Sequence, residues 1–128
     1  MPEATPVVLV VEDDAALCDM LREVLEGEGY RVEVAANGGA GLARLAAGGV
    51  DLVLLDLRLP DIDGLEFCAA VRAGARQARV PILCLSGASA PDEVEAALTA
   101  GADAYLAKPF DFDDLLAEIR ALVARGEQ

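Results

Sequence analysis

Short apolar runs alternate along the chain with longer segments in which apolar residues recur every three to four positions. The runs are Val7 to Val11, Arg31 to Ala35, Val50 to Leu55, Val80 to Leu85 and Ala104 to Ala107. Three of them are nearly continuous in Val, Leu and Ile, as expected of strands covered on both faces, and the second and fifth are weaker, as edge strands often are. The intervening segments read as helices over about 14–27, 37–47, 64–73, 91–100 and 111–125. In the first, Leu17, Met20, Leu21, Val24 and Leu25 share one face; Asp14 can cap its start and Gly27 or Gly29 its end. Asn37 and Asp111 stand where the second and fifth helices need N-caps, and Pro91 suits the first turn of the fourth. Strand and helix alternate throughout, which predicts an α/β fold with a parallel sheet, (βα)5, occupying residues 1–128 as one domain.

In such a sheet, ligands gather beyond the carboxyl ends of the strands. The first strand leads into Glu12 and Asp13, the third into Asp56, the fourth into Ser86 and the fifth into Lys108. Carboxylates crowded there repel one another and lose hydration, a cost that a divalent cation relieves. With no histidine in the chain and no cysteine at these strand ends, the all-oxygen set favours Mg²⁺ or Mn²⁺ over zinc. Lys108 is the only lysine, against nine arginines. An ammonium is a compact point charge that can approach a carboxylate or phosphoryl oxygen where a planar guanidinium does not fit. Pro109 follows it, where a cis peptide bond is accessible. Asp14 is assigned to helix capping, Asp61, Asp63 and Gly64 to turn and capping geometry, and Asp51 and Asp103 to loops or strand starts.

Composition narrows the function further. A formal net charge of −13 argues against binding of nucleic acid by this chain, which needs clustered Lys and Arg. The three cysteines, Cys18, Cys68 and Cys84, lie far apart among apolar neighbours, suggesting neither a disulfide framework nor a metal knuckle and fitting a reducing compartment. The segment from Met1 to Pro6 has no basic region and leads into an apolar run too short for a signal peptide or a membrane span, so a cytoplasmic protein without membrane attachment is expected.

Four segments, taken in order, resemble the receiver domains of two-component response regulators. They are Val10-Val11-Glu12-Asp13-Asp14, Leu54 to Gly64, Leu85-Ser86-Gly87, and Gly101 to Phe110. The resemblance covers almost the whole chain and implies a flavodoxin-like three-layer fold with strand order 2-1-3-4-5. It further implies that Asp56 accepts a phosphoryl group from a histidine kinase or phosphotransfer protein. Mg²⁺ would be held by Asp13, Asp56, the backbone carbonyl of Arg58 and, through water, Glu12. Lys108 and the Ser86 hydroxyl would engage the phosphoryl oxygens, and Tyr105 would turn inward as the switch element that signals to a downstream effector protein or domain. Arg58 and Ala88 would tune the lifetime of the acyl phosphate, whose hydrolysis resets the switch without turnover of an external substrate.

Three rival readings are set against this one. An aspartate-nucleophile phosphohydrolase carries a second Asp two residues after the nucleophile, where this chain has Arg58. An FMN-binding flavodoxin needs a Ser/Thr/Gly-rich phosphate loop after the first strand, where this chain has Glu12-Asp13-Asp14. A degenerate receiver, recognised as a phosphorylation-independent interaction surface, would not need the full set of acids, hydroxyl and lysine. The resemblance also has one departure. Receivers attached to winged-helix domains often dimerise through the fourth helix, fifth strand and fifth helix by cross-subunit ion pairs. In that subgroup an Arg follows the early Asp of the fourth helix and an Ala of the fifth, and the fifth strand is entered through Asp-Asp-Tyr. Here the corresponding residues are Glu93 after Asp92, Glu118 after Ala117, and Asp103-Ala104-Tyr105, so that symmetric dimer is not expected.

Overall fold

A computed structural model describes residues 5–74, 77–87 and 91–126. In chain order the elements are β1 (Val7–Val11), α1 (Ala15–Gly27), β2 (Arg31–Ala35), α2 (Gly38–Ala46), β3 (Leu52–Asp56), α3 (Gly64–Ala73), β4 (Ile82–Ser86), α4 (Pro91–Ala100), β5 (Ala104–Ala107) and α5 (Phe112–Gly126). The strands form one parallel sheet in the order β2-β1-β3-β4-β5, which is the flavodoxin-like arrangement.

Because side chains on a strand alternate between faces, each central strand feeds two cores. Val8 and Val10 of β1, Leu52 and Leu54 of β3, and Leu83 and Leu85 of β4 pack with Leu21 and Leu25 of α1 and Leu115 and Ile119 of α5. Their neighbours Leu9, Val11, Val53, Leu55, Ile82 and Cys84 face the other way, against Leu45 of α2, Phe67, Cys68 and Val71 of α3, and Ala97 of α4. The sheet is thus sandwiched between α1 and α5 on one side and α2, α3 and α4 on the other. All three cysteines are free and buried. Burial and the nearby acids Glu12, Asp14 and Asp19 push the Cys18 thiol up to about 11, while a hydrogen bond with Cys68, together with burial, raises that of Cys84.

The helix caps are local. Asp14 accepts from the Leu17 amide, Asn37 from Ala40, and Asp63 from Leu65. Asp111 accepts from the Asp113 amide at 2.7 Å.

Two strands begin later than their apolar runs predict. Val50 and Val80 are buried, but their backbone groups bond outside the ladder, the Val80 amide donating to the Gln77 carbonyl at 3.1 Å. Gln77 bonds both the amide and the carbonyl of Val50, and Arg72 donates to the carbonyl of Val80 at 2.7 Å. The ladders end at Asp56 and Ser86, one residue further on than the sequence pattern suggests.

Candidate functional site

Strand register brings the acidic residues together. Val11 pairs with Leu55, so the next residues, Glu12 and Asp56, emerge side by side at the same rim. Glu12 continues the ladder through its amide, which donates to the Ala35 carbonyl at 3.0 Å. The residue is only 3% exposed, and its carboxylate accepts from the Asp14 amide at 3.2 Å. Asp13 is exposed, whereas Asp56, at the end of the central strand, is buried. One carboxylate oxygen from each of Glu12, Asp13 and Asp56 lies within 4.8 Å of the others. Among the described residues this is a donor set of hard oxygens spaced for a single small divalent cation, and the residues fit Mg²⁺ or Mn²⁺.

Lys108 enters from the end of β5. Its amide donates to the Ser86 carbonyl at 2.8 Å, fixing the backbone against β4, and the Lys108–Pro109 peptide is cis. The ammonium donates to Glu12 Oε1 at 3.0 Å and lies 3.9 Å from Asp56 Oδ2. One cation thus bridges two of the three acids. The sequence brings out Lys108 by its uniqueness but gives no hint that its nearest partner is Glu12.

Ser86 is fully buried at the end of β4, and its hydroxyl donates to Glu93 Oε1 on α4 at 3.4 Å. Glu93 is a site neighbour that the sequence marks only as an acid on the fourth-helix dimer face. Tyr105, half-buried on β5, pairs in register with Cys84 and packs against the core on the α3 and α4 side. Arg58 has an exposed side chain and an amide that donates to Asp56 Oδ1 at 3.1 Å. Ala88 lies outside the described residues.

The loop after β3 holds its shape through contacts that spacing alone does not reveal. Arg58 forms an isolated antiparallel bridge with Asp63. Gly64 sits so close beneath Leu57 that a Cβ there would lie 2.5 Å from the Leu57 Cα. Asp61 reaches back to α2, accepting from the Gly38 and Gly39 amides at 2.8 Å each. These two amide bonds, Gly39 first, hold its carboxyl below the usual aspartate range. On the far side of the molecule, Asp51 accepts from the Val7 amide at 2.7 Å. Asp103 accepts from the Ile82 amide at 2.8 Å and pairs with Arg72 at 2.8 Å.

A parallel five-stranded sheet with an acidic triad, a lysine and a hydroxyl at one rim defines a receiver, and comparison with known proteins agrees. The family described as response regulator receiver domain matches residues 8–120, and the chain belongs to that family. The DNA-binding dual master transcriptional regulator RpaA of a Synechocystis strain is 37% identical over 123 residues, covering 96% of this chain and 51% of that protein. Response regulator MprA of Mycolicibacterium vanbaalenii is 43% identical over 118 residues, covering 92% of this chain and 50% of that protein. The chain spans about half the length of these curated relatives. A CheY-like receiver domain protein of Methanospirillum hungatei superposes with a TM-score of 0.88 at 34% identity, covering 97% of this chain and 98% of that one. The receiver domain of a Pseudomonas aeruginosa sensor histidine kinase, solved with a magnesium ion coordinated in the active site cleft, gives a TM-score of 0.87 at 31% identity, covering 94% and 99%.

Proposed function

We propose that this receiver is a phosphorylation switch in which Asp56 accepts a phosphoryl group from a phosphohistidine on a histidine kinase or phosphotransfer protein. The observation that carries the reading is the convergence of Glu12, Asp13, Asp56 and Lys108 at one rim, with Lys108 within 3.9 Å of the Asp56 carboxylate. Mg²⁺ held by Asp13 and Asp56, with the Arg58 backbone carbonyl and a water-mediated link to Glu12, would supply charge neutralisation at the phosphoryl oxygens. The magnesium-bearing Pseudomonas receiver supports that assignment.

Phosphoryl transfer asks the protein mainly for positioning and electrostatic stabilisation. An Asp56 carboxylate oxygen forms the new P–O bond as the P–N bond to the donor imidazole breaks. Placement at the end of the buried central strand leaves this carboxylate few orientations. Lys108, already between Glu12 and Asp56, needs only a short movement to meet the incoming charge. Ser86 must leave Glu93 to donate to the phosphoryl group. That exchange would draw α4 and the half-buried Tyr105 into a new arrangement read by an effector. Hydrolysis of the acyl phosphate returns Asp56 to its resting state, with no external substrate. Lys108 also borders an apolar groove lined by Leu17, Met20, Phe110 and Phe112, in which Met20 is 49% exposed. A phosphodonor protein reaching Asp56 across this rim has that surface to rest on. The reading places the protein in the cytoplasm, where such donors act; among the described residues no helix is long and apolar enough to cross a membrane.

The test is direct. Acetyl phosphate with Mg²⁺ should add one phosphoryl mass to the wild type and none to Asp56→Asn, and Asp13→Ala should lose most of its Mg²⁺ affinity. Equal labelling of wild type and Asp56→Asn would sink the reading.

A further inference from the structure

The loop from Leu57 to Asp63 carries the Arg58 carbonyl that the proposed function gives to the metal, so its stiffness matters to the site. Its backbone is closed by the Arg58–Asp63 bridge and by the Gly64 amide, which donates to the Leu57 carbonyl at 3.0 Å, and three carboxylates fasten it further. One is Asp56 itself, whose Oδ1 accepts from the Arg58 amide at 3.1 Å. A second is Asp63, which accepts from the Leu65 amide at 2.8 Å and so ties the loop's end to α3. The third is Asp61, whose two carboxylate oxygens each take one amide of α2, Gly38 to Oδ1 and Gly39 to Oδ2, both at 2.8 Å.

These fastenings are not equivalent. The first uses the carboxylate that is to be phosphorylated, so it cannot be relied on while that group changes partners. The second fixes the loop only where it enters α3. Of these three carboxylates, Asp61 is the one that crosses to α2. Asn37 caps only the Ala40 amide of α2, at 2.8 Å, so Asp61 takes the Gly38 and Gly39 amides that this cap leaves open and in doing so ties the loop to the helix. The approach is also close: a Cβ on Gly38 would sit 2.5 Å from Ile62 Cγ1, so the absence of a side chain lets the loop lie against the helix. Two charge-assisted bonds on one rigid carboxylate constrain both distance and orientation.

We infer that Asp61 is a positioning residue for the phosphorylation site, a clamp that holds the β3–α3 loop against α2 so that the Arg58 carbonyl and Asp56 keep a metal-ready arrangement. The inference rests on the proposed function, and it assigns a role to an exposed acid that touches neither metal nor phosphoryl group. Outer groups that orient ligands commonly change metal affinity by about 10- to 100-fold when removed.

Calorimetric titration of the metal-free full chain with Mg²⁺, paired with amide hydrogen exchange and thermal melting without metal, decides the matter. Asp61→Ala should weaken Mg²⁺ binding by about tenfold and speed exchange across residues 57–63, while the chain still melts cooperatively. Asp61→Asn, which keeps one acceptor oxygen, should fall between Asp61→Ala and the wild type in both readouts, and it supplies the comparison if Asp61→Ala fails to fold. A clamp that serves stability alone would lower the melting temperature and leave Mg²⁺ affinity at the wild-type value; that result overturns the inference while the proposed function stands. If the wild type itself binds no Mg²⁺, both fall together.

Discussion

Lys108 shows how much the identity of one cation can matter. Its ammonium lies 3.0 Å from Glu12 and 3.9 Å from Asp56, in a site whose other walls are strand ends. A guanidinium is planar and broader, and its five donors sit in a fixed fork, so it cannot occupy this position without displacing one of the acids. Lys108→Arg preserves charge and is expected to slow phosphorylation by acetyl phosphate by up to about 100-fold, the lower end of the effect of losing an oriented donor. Unchanged kinetics would show that the site reads charge and not shape. Asp61 makes a different prediction, one of pH. Its carboxyl is held below the usual aspartate range by the Gly39 and Gly38 amides. Its contribution to stability is therefore complete above the unfolded-state pKa and is lost as pH falls through the lowered folded value. Wild type should melt above Asp61→Ala at neutral pH, and the gap should close on acidification. A gap that stays constant into strong acid would show that the carboxylate bonds contribute nothing.

Among the elements, the turn from β3 into α3 has the least room. A Cβ on Gly64 would lie 2.5 Å from the Leu57 Cα and 2.9 Å from its carbonyl oxygen, and backbone cannot swing aside as a side chain can. Gly64→Ala should therefore cost about 1–3 kcal/mol, the range for overpacking, and should disturb Asp56 through Leu57. Urea unfolding measures the first effect and Mg²⁺ titration the second; a variant as stable as wild type would show that the loop yields easily. Contacts such as this one mark the limit of what the chain displays in one dimension. Strands, helices and rim residues were legible because each follows from local periodicity and from the rule that parallel sheets present function at their carboxyl ends. Glu12, Asp13, Asp56 and Lys108 could be placed together for that reason alone. The true starts of β3 and β4 were not legible: Val50 and Val80 are as apolar and buried as ladder residues, and only their contacts with Gln77 and Arg72 in the finished fold reveal where their backbone bonds go. Asp61, Asp51 and Asp103 read as turn or loop acids because their partners, Gly38 and Gly39, Val7, and Ile82 with Arg72, are brought close only by the finished fold.

At the scale of the whole molecule, charge and the placement of a few acids bear on assembly. The net charge of −13 gives any two copies a mutual repulsion that salt screens over about 10 Å at 0.1 M. Individual exposed ion pairs contribute only about 0.2–1 kcal/mol, so a dimer built on them needs several at once. On the face formed by α4, β5 and α5, the helix α4 carries Asp92, Glu93 and Glu95 and no basic residue to answer them across such a dimer. Glu93, where a winged-helix receiver usually has arginine, is half-buried and accepts from Ser86. Asp103 is committed within the chain, to Arg72 at 2.8 Å and Arg125 at 3.9 Å, and so has little left to offer a second copy. Glu118 adds another negative group on α5. Phosphorylation also adds negative charge, and releasing Glu93 from Ser86 would turn one more acid outward. The isolated chain is therefore expected to remain monomeric both before and after beryllofluoride treatment, with its signal passed to a different protein or domain whose surface is basic. Light scattering decides this: a clear shift to dimer that is abolished by substitutions on α4 and α5 would show that apolar contact on this face outweighs its charge.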